Sequence, residues 1–260
     1  LMAALGWKAV FWLFGVIGVL LGVLWFKFVP DNPKQSPYVN EAELEHINDG
    51  RENTVEAKEI APWGKLLKSS QFWSLGLQFM ITDYIMYVFL AWLPLYLMEV
   101  HGFSLSKMGL WAAAPWLSLM AVVSCCGYLS DKAIAAGFSQ NLVKTSTGAV
   151  GILLCACTLF IATRTADPMM NVFWLSVALG SLGLTMSASW SSVISMGGRF
   201  AGSVSGWMNF WGNIGGVLAP SVTAWVATTY GWQAALAVTA VSGIAGAVLW
   251  LFVKPDKAIV

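Results

Sequence analysis

Residues 6–31 read GWKAVFWLFGVIGVLLGVLWFKFVPD, and residues 231–256 read GWQAALAVTAVSGIAGAVLWLFVKPD. The two segments align without a gap, and ten of their 26 positions are identical. Gly-Trp opens both copies and Pro-Asp closes both, which shared apolar composition does not explain. Such self-similarity indicates an internal repeat. We interpret the first copy as the last span of a repeat whose earlier part is missing, and the second as the last span of a complete repeat.

The composition is that of a protein with several membrane spans. Hydrophobic residues make up 58% of the 260 residues and charged residues 10%, whereas a soluble domain has about 45–50% apolar and about 25% charged residues. Seven apolar runs reach the length of roughly 20 residues that a helix needs to cross a bilayer. The runs are residues 7–29, 72–98, 108–129, 142–162, 169–196, 202–229 and 232–253. The sequence therefore predicts an all-α membrane protein with seven transmembrane helices.

One long polar segment, residues 30–70, separates the first span from the other six. Within it, VNEAELEHINDG predicts a short amphipathic helix with Asn40 as N-cap, Glu43 in the capping-box position and Gly50 as its stop. Residues 62–70 (PWGKLLKSS) are typical of the start of an interfacial helix. The whole segment has the character of a linker between two membrane halves.

The predicted organisation has four parts. Residues 1–29 form the last helix of an N-terminal half, and residues 30–70 form the linker. Residues 71–254 form a six-helix C-terminal half, and residues 255–260 form a short tail.

The basic residues predict the orientation of these parts in the membrane. Eleven of the 14 Lys and Arg residues fall on the side of the linker, and only Lys8, Lys107 and Arg164 fall on the other side. Loops rich in Lys and Arg face the cytoplasm. We therefore expect a multi-pass protein of the plasma (inner) membrane with the linker and the C-terminus in the cytoplasm.

One ionisable residue, Asp83, is expected near the middle of a span, about 16 Å along the helix from Phe72. A carboxylate in hydrocarbon is costly and usually faces a cavity or a partner. Asp83 is therefore a candidate for proton coupling, although it could equally tie helices together through a tyrosine. Gln78, Tyr84 and Tyr87 lie on or beside its helical stripe, and we predict that they bind substrate.

Two later spans carry further polar side chains. In residues 202–220, small and amide residues repeat at spacings of four and three, which places Asn209 and Asn213 on one helical face with several glycines. Close helix packing explains the glycines better than it explains the amides. The preceding span is rich in serine, although serines in membrane helices often bond to their own backbone. In this span Ser187 and Ser191 share a face, with Trp190 beside them, and we predict that all five residues line a solute site.

No pattern in the sequence predicts catalysis or a cofactor. No nucleophile elbow, His/Glu cluster or metal-ligand spacing occurs in or beside the spans. The cysteines all lie in apolar runs, where a thiol acts as a small hydrophobic group; they are Cys125, Cys126, Cys155 and Cys157. We expect neither an enzyme, nor a metal site, nor a nucleic-acid partner.

Residues 127–137 read GYLSDKAIAAG, which resembles the second copy of the Gly-x-x-x-Asp-Arg/Lys loop of the major facilitator superfamily. In that family the loop lies on the cytoplasmic side, between the second and third spans of a half. The resemblance implies that Gly127, Asp131 and Lys132 belong to a gating loop, in which Asp131 caps or pairs with a neighbouring helix end. The basic run that usually follows is absent here.

Other segments narrow the resemblance to the anion:cation symporter family, which includes hexuronate, galactonate, glucarate and phthalate permeases. They are AWLPLYL at 91–97, HGFSLSKMG at 101–109 and GSVSGWMNFWGNIGGVLAP at 202–220. The resemblance implies that the seven spans are the sixth to twelfth of a twelve-span transporter. Asn209 and the segment of Ser187, Trp190 and Ser191 match positions similar to the family's sugar-acid site. Asp83 departs from the family, where a neutral polar residue is commoner.

Together these features predict a secondary transporter that moves a small organic anion with protons by alternating access. The anion would be a sugar acid or an aromatic or dicarboxylic acid. Because no Lys or Arg is expected in mid-membrane, its cationic partner would come from the missing N-terminal half, and the chain alone should not transport. We expect a monomer in a lipid bilayer. Two alternatives stay open: a neutral or cationic solute with Asp83 as its counter-ion, and a membrane-embedded sensor or scaffold.

Overall fold

The computed structural model describes residues 2–30, 32–48 and 60–259. All regular secondary structure in these ranges is helical. The chain forms two compact units, Leu1–Glu59 and Ile60–Val260, which we call unit 1 and unit 2.

Unit 1 contains helix α1 (Met2–Phe28), a 3-10 turn (Pro33–Gln35) and helix α2 (Glu41–Asn48). The predicted N-cap is confirmed, because the Glu43 backbone N–H donates a 2.8 Å hydrogen bond to the Asn40 Oδ1 atom. Such a bond satisfies one of the backbone donors that the first helical turn leaves free. The predicted stop at Gly50 lies outside the described residues.

Unit 2 begins with a single helical turn and continues with long helices. They are α3 (Trp63–Leu66), α4 (Ser70–His101), α5 (Leu105–Trp111), α6 (Ala113–Ala135), α7 (Gln140–Arg164), α8 (Pro168–Gly197), α9 (Ala201–Tyr230) and α10 (Trp232–Trp250).

The number of membrane spans agrees with the prediction. In the described part of the chain, six stretches are long and apolar enough to cross a membrane. One of them, Pro168–Tyr230, contains the two 30-residue helices α8 and α9, which are separated by a 3-10 turn at Gly198–Phe200. Another, Leu105–Ala135, joins α5 and α6. With α8 and α9 counted separately, the spans number seven.

The predicted gating loop is a helix for most of its length, and this part of the prediction is wrong. Helix α6 continues to Ala135, so Asp131 and Lys132 lie in its last turns. The chain leaves the helical conformation after Ala135, and Gly137, which has a φ of 98°, completes the end of the helix. The Phe138 and Gly137 N–H groups donate to the carbonyls of Ala133 and Ile134, as in a Schellman cap. No glycine or proline interrupts the helix between Gly127 and Gly137, so nothing ends it earlier.

The helices of unit 2 pack in a symmetric set of pairs. Helix α4 packs along α9, α6 along α8, and α7 along α10, while α8 also contacts α7 and α10 also contacts α4. If α4 is exchanged with α8, α6 with α9, and α7 with α10, each of these contacting pairs becomes another pair of the same set. The six long helices therefore form two sets of three with equivalent contacts, the pattern expected of an internal repeat.

Glycines set the closest helix contacts. A Cβ atom at Gly215 of α9 would collide with the Met80 carbonyl oxygen of α4, and one at Gly212 would lie 2.8 Å from the Phe79 ring. By contrast, a Cβ atom at Gly202 or Gly206, the first two glycines of the small-residue repeat in residues 202–220, would meet no described atom within 4 Å. Small residues at such contacts let two membrane helices approach closely.

The first residue of each copy of the sequence repeat has the same backbone conformation. Gly6 has φ 75° and ψ 159°, and Gly231 has φ 88° and ψ 164°. This region of backbone conformation is essentially restricted to glycine. Gly6 forms a kink within α1 directly before Trp7, and Gly231 directly precedes Trp232, where α10 begins. The shared Gly-Trp therefore has a conformational reason.

We predict that Gly215→Ala destabilises unit 2, whereas Gly206→Ala on the same helix does not. The added methyl at position 215 forces α4 and α9 apart, and overpacking of this kind costs about 1–3 kcal/mol. At position 206 there is room for the methyl, and alanine favours the helix. The check is the melting temperature of the two variants in detergent. Equal melting temperatures would contradict the assigned contact.

Candidate functional site

A cavity of about 370 Å³, whose lining includes several polar side chains, lies where the last turns of α6 meet the start of α7 and the last third of α8. It brings together two predicted groups that are far apart in sequence, the gating residues and the serines of α8. Its lining residues are Gly127, Ser130, Asp131, Ile134, Ala135, Gln140, Lys144, Ser187, Ala188 and Ser191.

Lys144 is the charged residue of this cavity that was not predicted from the sequence. Its Nζ atom donates to Gln140 Oε1 at 3.3 Å, to the Ser191 carbonyl at 3.2 Å and to Ser195 Oγ at 3.1 Å. These bonds join the first turns of α7 to the last third of α8. The sequence signal that could have identified this pair is the spacing of four residues between Gln140 and Lys144, because residues four apart are neighbours on a helix. The three contacts occupy the ammonium donors, so Lys144 holds the cavity wall in place.

The gating residues divide between two faces of α6. Gly127 and Asp131 line the cavity, but Lys132 does not. The Lys132 Nζ atom lies 4.7 Å from the centre of the Tyr128 ring, a cation–π contact on the surface of the helix. Of the predicted charged pair, only Asp131 lines the cavity together with Ser187 and Ser191 of α8.

Gln78 lies in the contact between α4 and α8. It is fully buried, and its Nε2 atom donates to Ser189 Oγ and to the Leu75 carbonyl, each at 3.1 Å. Ser189 is also fully buried, whereas Ser187 on the other side of α8 reaches the cavity. In this arrangement Gln78 joins two helices, so its predicted contact with substrate requires that they separate.

Asp83 is buried in the contact between α4 and α9, with 7% of its surface exposed. Its side chain abuts Gly212, where a Cβ would collide with the Oδ2 atom. The Oδ1 atom has no hydrogen-bond partner among the described residues. Tyr84 and Tyr87, which the alternative interpretation would pair with Asp83, are partly buried instead along Gly215 and Gly216.

The remaining predicted residues lie on the surface of unit 2. Asn209 and Asn213 are exposed on α9, and the Asn213 Nδ2 atom donates a 2.8 Å bond to the Asn209 carbonyl. Trp190 is 41% exposed, and its ring meets the edge of the Phe79 ring at 5.8 Å. Phe79 was not a predicted site residue, yet it separates Trp190 from Gly212.

The predicted residues thus form two groups. One group lines the cavity at the ends of α6 and α8, and the other surrounds the contacts of α4 with α8 and α9. Among the described residues, no cluster of three or more His, Cys, Asp or Glu side chains could hold a metal ion. The amides and hydroxyls of these side chains can form hydrogen bonds, and the tryptophan and tyrosine rings can stack.

We predict that cysteines at positions 187 and 191 react with a water-soluble maleimide, whereas a cysteine at position 189 does not. Ser187 and Ser191 line the cavity, and Ser189 on the same helix is fully buried. The measurement is the labelled fraction of each variant in detergent, in a chain whose four native cysteines are replaced by alanine. Absence of labelling at positions 187 and 191 would show that the cavity is closed to water, and labelling at position 189 would contradict its burial.

Curated relatives match nearly the whole chain, and the chain spans about half of their length. The chloroplastic ascorbate transporter of Arabidopsis thaliana is 27% identical over 99% of this chain and 48% of its own. The D-galactonate transporter of Escherichia coli O6:H1 is 28% identical over 97% of this chain and 60% of its own. The Bacillus subtilis protein named probable galactarate/D-glucarate transporter GudP is 29% identical over 98% of this chain and 58% of its own.

A solved structure supports the same fold. A bacterial homologue of the human drug peptide transporters PepT1 and PepT2 superposes with a TM-score of 0.55 and 16% identity, over 72% of this chain and 44% of that one. At this identity the similarity concerns the helix arrangement alone. The family model described as Major Facilitator Superfamily matches residues 1–220. With the helix order of unit 2, this match shows that the chain belongs to the Major Facilitator Superfamily, whose members are transporters and not enzymes.

Proposed function

We propose that unit 2 is one half of a secondary transporter that moves a small organic anion together with protons. The observation that carries this proposal is the match of nearly the whole chain to relatives named for organic anions: ascorbate, D-galactonate and galactarate/D-glucarate. The second half would come from a segment outside this chain, because the relatives are about twice as long. We place the protein in the plasma (inner) membrane with residues 30–70 and the C-terminus in the cytoplasm.

The exposed side chains of unit 2 supply groups that fit a sugar acid. The amides of Asn209 and Asn213 can donate to hydroxyl and carboxylate oxygens, and Trp190 offers a ring face against which the C–H face of a sugar can pack. No Lys or Arg lies in the middle of the described spans, since Lys144 and Arg164 lie near the two ends of α7. The cation that neutralises the anion would therefore come from the other half.

The packing symmetry of unit 2 supports alternating access as the mechanism. Two sets of three helices with equivalent contacts form one tightly packed body. Such a body can rock against a second half, so that a site between them opens to one side and then to the other. Solute would bind where the exposed face of α9 and Trp190 meets that second half.

Asp83 is our candidate for the residue that carries the coupled proton. An ionised carboxylate without a partner inside a membrane protein is costly. The Oδ1 atom of Asp83 has no partner in the described residues while α4 and α9 are in contact. Proton exchange at Asp83 would thus require that these helices separate or that a donor from the other half reaches the carboxyl. Either event would link proton binding at Asp83 to the conformational change of the transporter.

The proposal predicts gradient-driven uptake of labelled D-galactonate and D-glucarate by the complete transporter in proteoliposomes. D-galactose, which lacks the carboxylate, is the matched neutral solute and should not accumulate. Residues 1–260 alone should show no uptake. Accumulation of D-galactose in place of the acids would overturn the proposed substrate class. Binding of the acids without uptake by the complete protein would favour a sensor.

Replacing the candidate proton carrier tests coupling separately from binding. We predict that Asp83→Asn in the complete transporter keeps solute binding and exchange, but abolishes accumulation driven by a pH gradient. The amide preserves the shape of the side chain and removes the titratable proton. Uptake and binding measured between pH 5 and pH 8 distinguish the outcomes, with Asp256→Asn in the exposed C-terminal tail as the control carboxylate. Loss of binding at every pH would instead identify Asp83 as the counter-ion of a cationic solute.

A further inference from the structure

The segment before α4 is fixed against unit 2 by buried side chains. Leu66 is fully buried and Ala61 is 8% exposed, so both ends of α3 are anchored. The Trp73 indole N–H donates a 2.9 Å bond to the Leu67 carbonyl, which fixes the turn between α3 and α4. The segment is therefore an ordered part of unit 2 at the point where a membrane span begins.

This fixed segment exposes two lysines. Lys65 and Lys68 are exposed, and the described residues next to them in sequence, 60–82, contain no Asp or Glu. In the described part of the chain, neither ammonium group has a hydrogen bond or a carboxylate partner. Two positive charges thus face the end of a span, where the headgroups of a bilayer lie.

An aromatic cluster joins α3 and the start of α4 to α9. Trp63 meets Phe72 edge to face at 6.3 Å, and Phe72 stacks on Trp207 of α9 at 4.7 Å. Trp73 packs against Trp207 at 5.0 Å. Trp63 and Trp73 keep 43% and 37% of their surface exposed. Partly exposed indoles at the end of a span are suited to the boundary between headgroups and acyl chains.

The lysines provide positive charge, and the two indoles set the depth of that charge in the bilayer. The ammonium groups of Lys65 and Lys68 can contact a phosphate, while Trp63 and Trp73 can contact the glycerol and upper acyl region of the same lipid. A free phosphate in solution would engage the lysines but not the indoles. The two kinds of group together therefore favour a lipid over a soluble anion.

We infer that Trp63, Lys65, Lys68 and Trp73 form a binding site for the headgroup of an anionic phospholipid. The site lies apart from the cavity of α6, α7 and α8, and it does not depend on the proposed transport function. Bound lipid would hold the start of α4 at the membrane surface. Because α4 carries Asp83 and packs on α9, the site would couple the lipid composition of the membrane to the stability of this helix pair.

The test is lipid binding by residues 1–260 in detergent, measured by native mass spectrometry. Phosphatidylglycerol is titrated against phosphatidylcholine for the double variants Lys65→Gln/Lys68→Gln and Lys254→Gln/Lys257→Gln. The second variant removes the same charge from the C-terminal tail, where both lysines are exposed. A lysine near an anionic surface contributes a factor of about five in affinity. We expect the first variant to bind phosphatidylglycerol at least about tenfold more weakly, and the tail variant to change within about twofold.

Three outcomes would overturn the inference. Equal weakening in both double variants would indicate general surface charge, and unchanged binding in the first variant would remove the assigned lysines. Displacement of phosphatidylglycerol by an equal concentration of inorganic phosphate would indicate an anion site without lipid contacts. Lys65→Arg/Lys68→Arg, which keeps the charge, should retain binding. Melting temperatures of all the variants, measured without added lipid, verify that each one folds.

Discussion

Helices α4 and α9 approach so closely that Gly215 has no room for a Cβ beside the Met80 carbonyl oxygen. Within hydrocarbon each helix satisfies its own backbone hydrogen bonds, and there is no hydrophobic force to drive one helix against another. The association of helices then depends on close contact between surfaces. The glycines of α9 provide that surface, and they press Asp83 and Phe79 against Gly212. Phe79 in turn supports the ring of Trp190.

The same kind of contact recurs across unit 2. The Trp250 ring occupies the space beside Gly148 between α10 and α7, and Ser118 of α6 packs on Gly180 of α8. A cavity lies where α6, α7 and α8 meet, and Lys144 holds its wall by bonding to Ser191 and Ser195. Unit 2 is thus tightly packed along its helix pairs and has a cavity between α6, α7 and α8.

Prediction from sequence succeeded where a single local rule applied. The hydrocarbon thickness sets the length of a span, so the spans agreed with the structure, and the Asn40 cap followed from its spacing to Glu43. It failed where a helix could continue without penalty, as at Asp131 and Lys132, which lie in α6 and not in a loop. The glycine stripe of α9 was predicted only in part. Gly216, a member of the stripe, packs on the Tyr87 ring, whereas Gly202 and Gly206 have no described atom near them. Gly212 and Gly215, which lie outside the stripe, make the closest contacts with α4.

The sequence by itself determined the number of spans, the repeat of the Gly-Trp segment and the polar residue types that the spans contain. Only the tertiary structure decided which of those residues face a cavity, a neighbouring helix or the surface. Gln78, Asp83 and Ser187 are all polar residues in apolar spans, yet one joins two helices, one lacks a partner and one lines the cavity. The physical reason is that a membrane helix is apolar around its whole circumference. The hydrophobic periodicity of the sequence therefore does not show which face of a helix is buried. The buried face is decided only when the helices pack together.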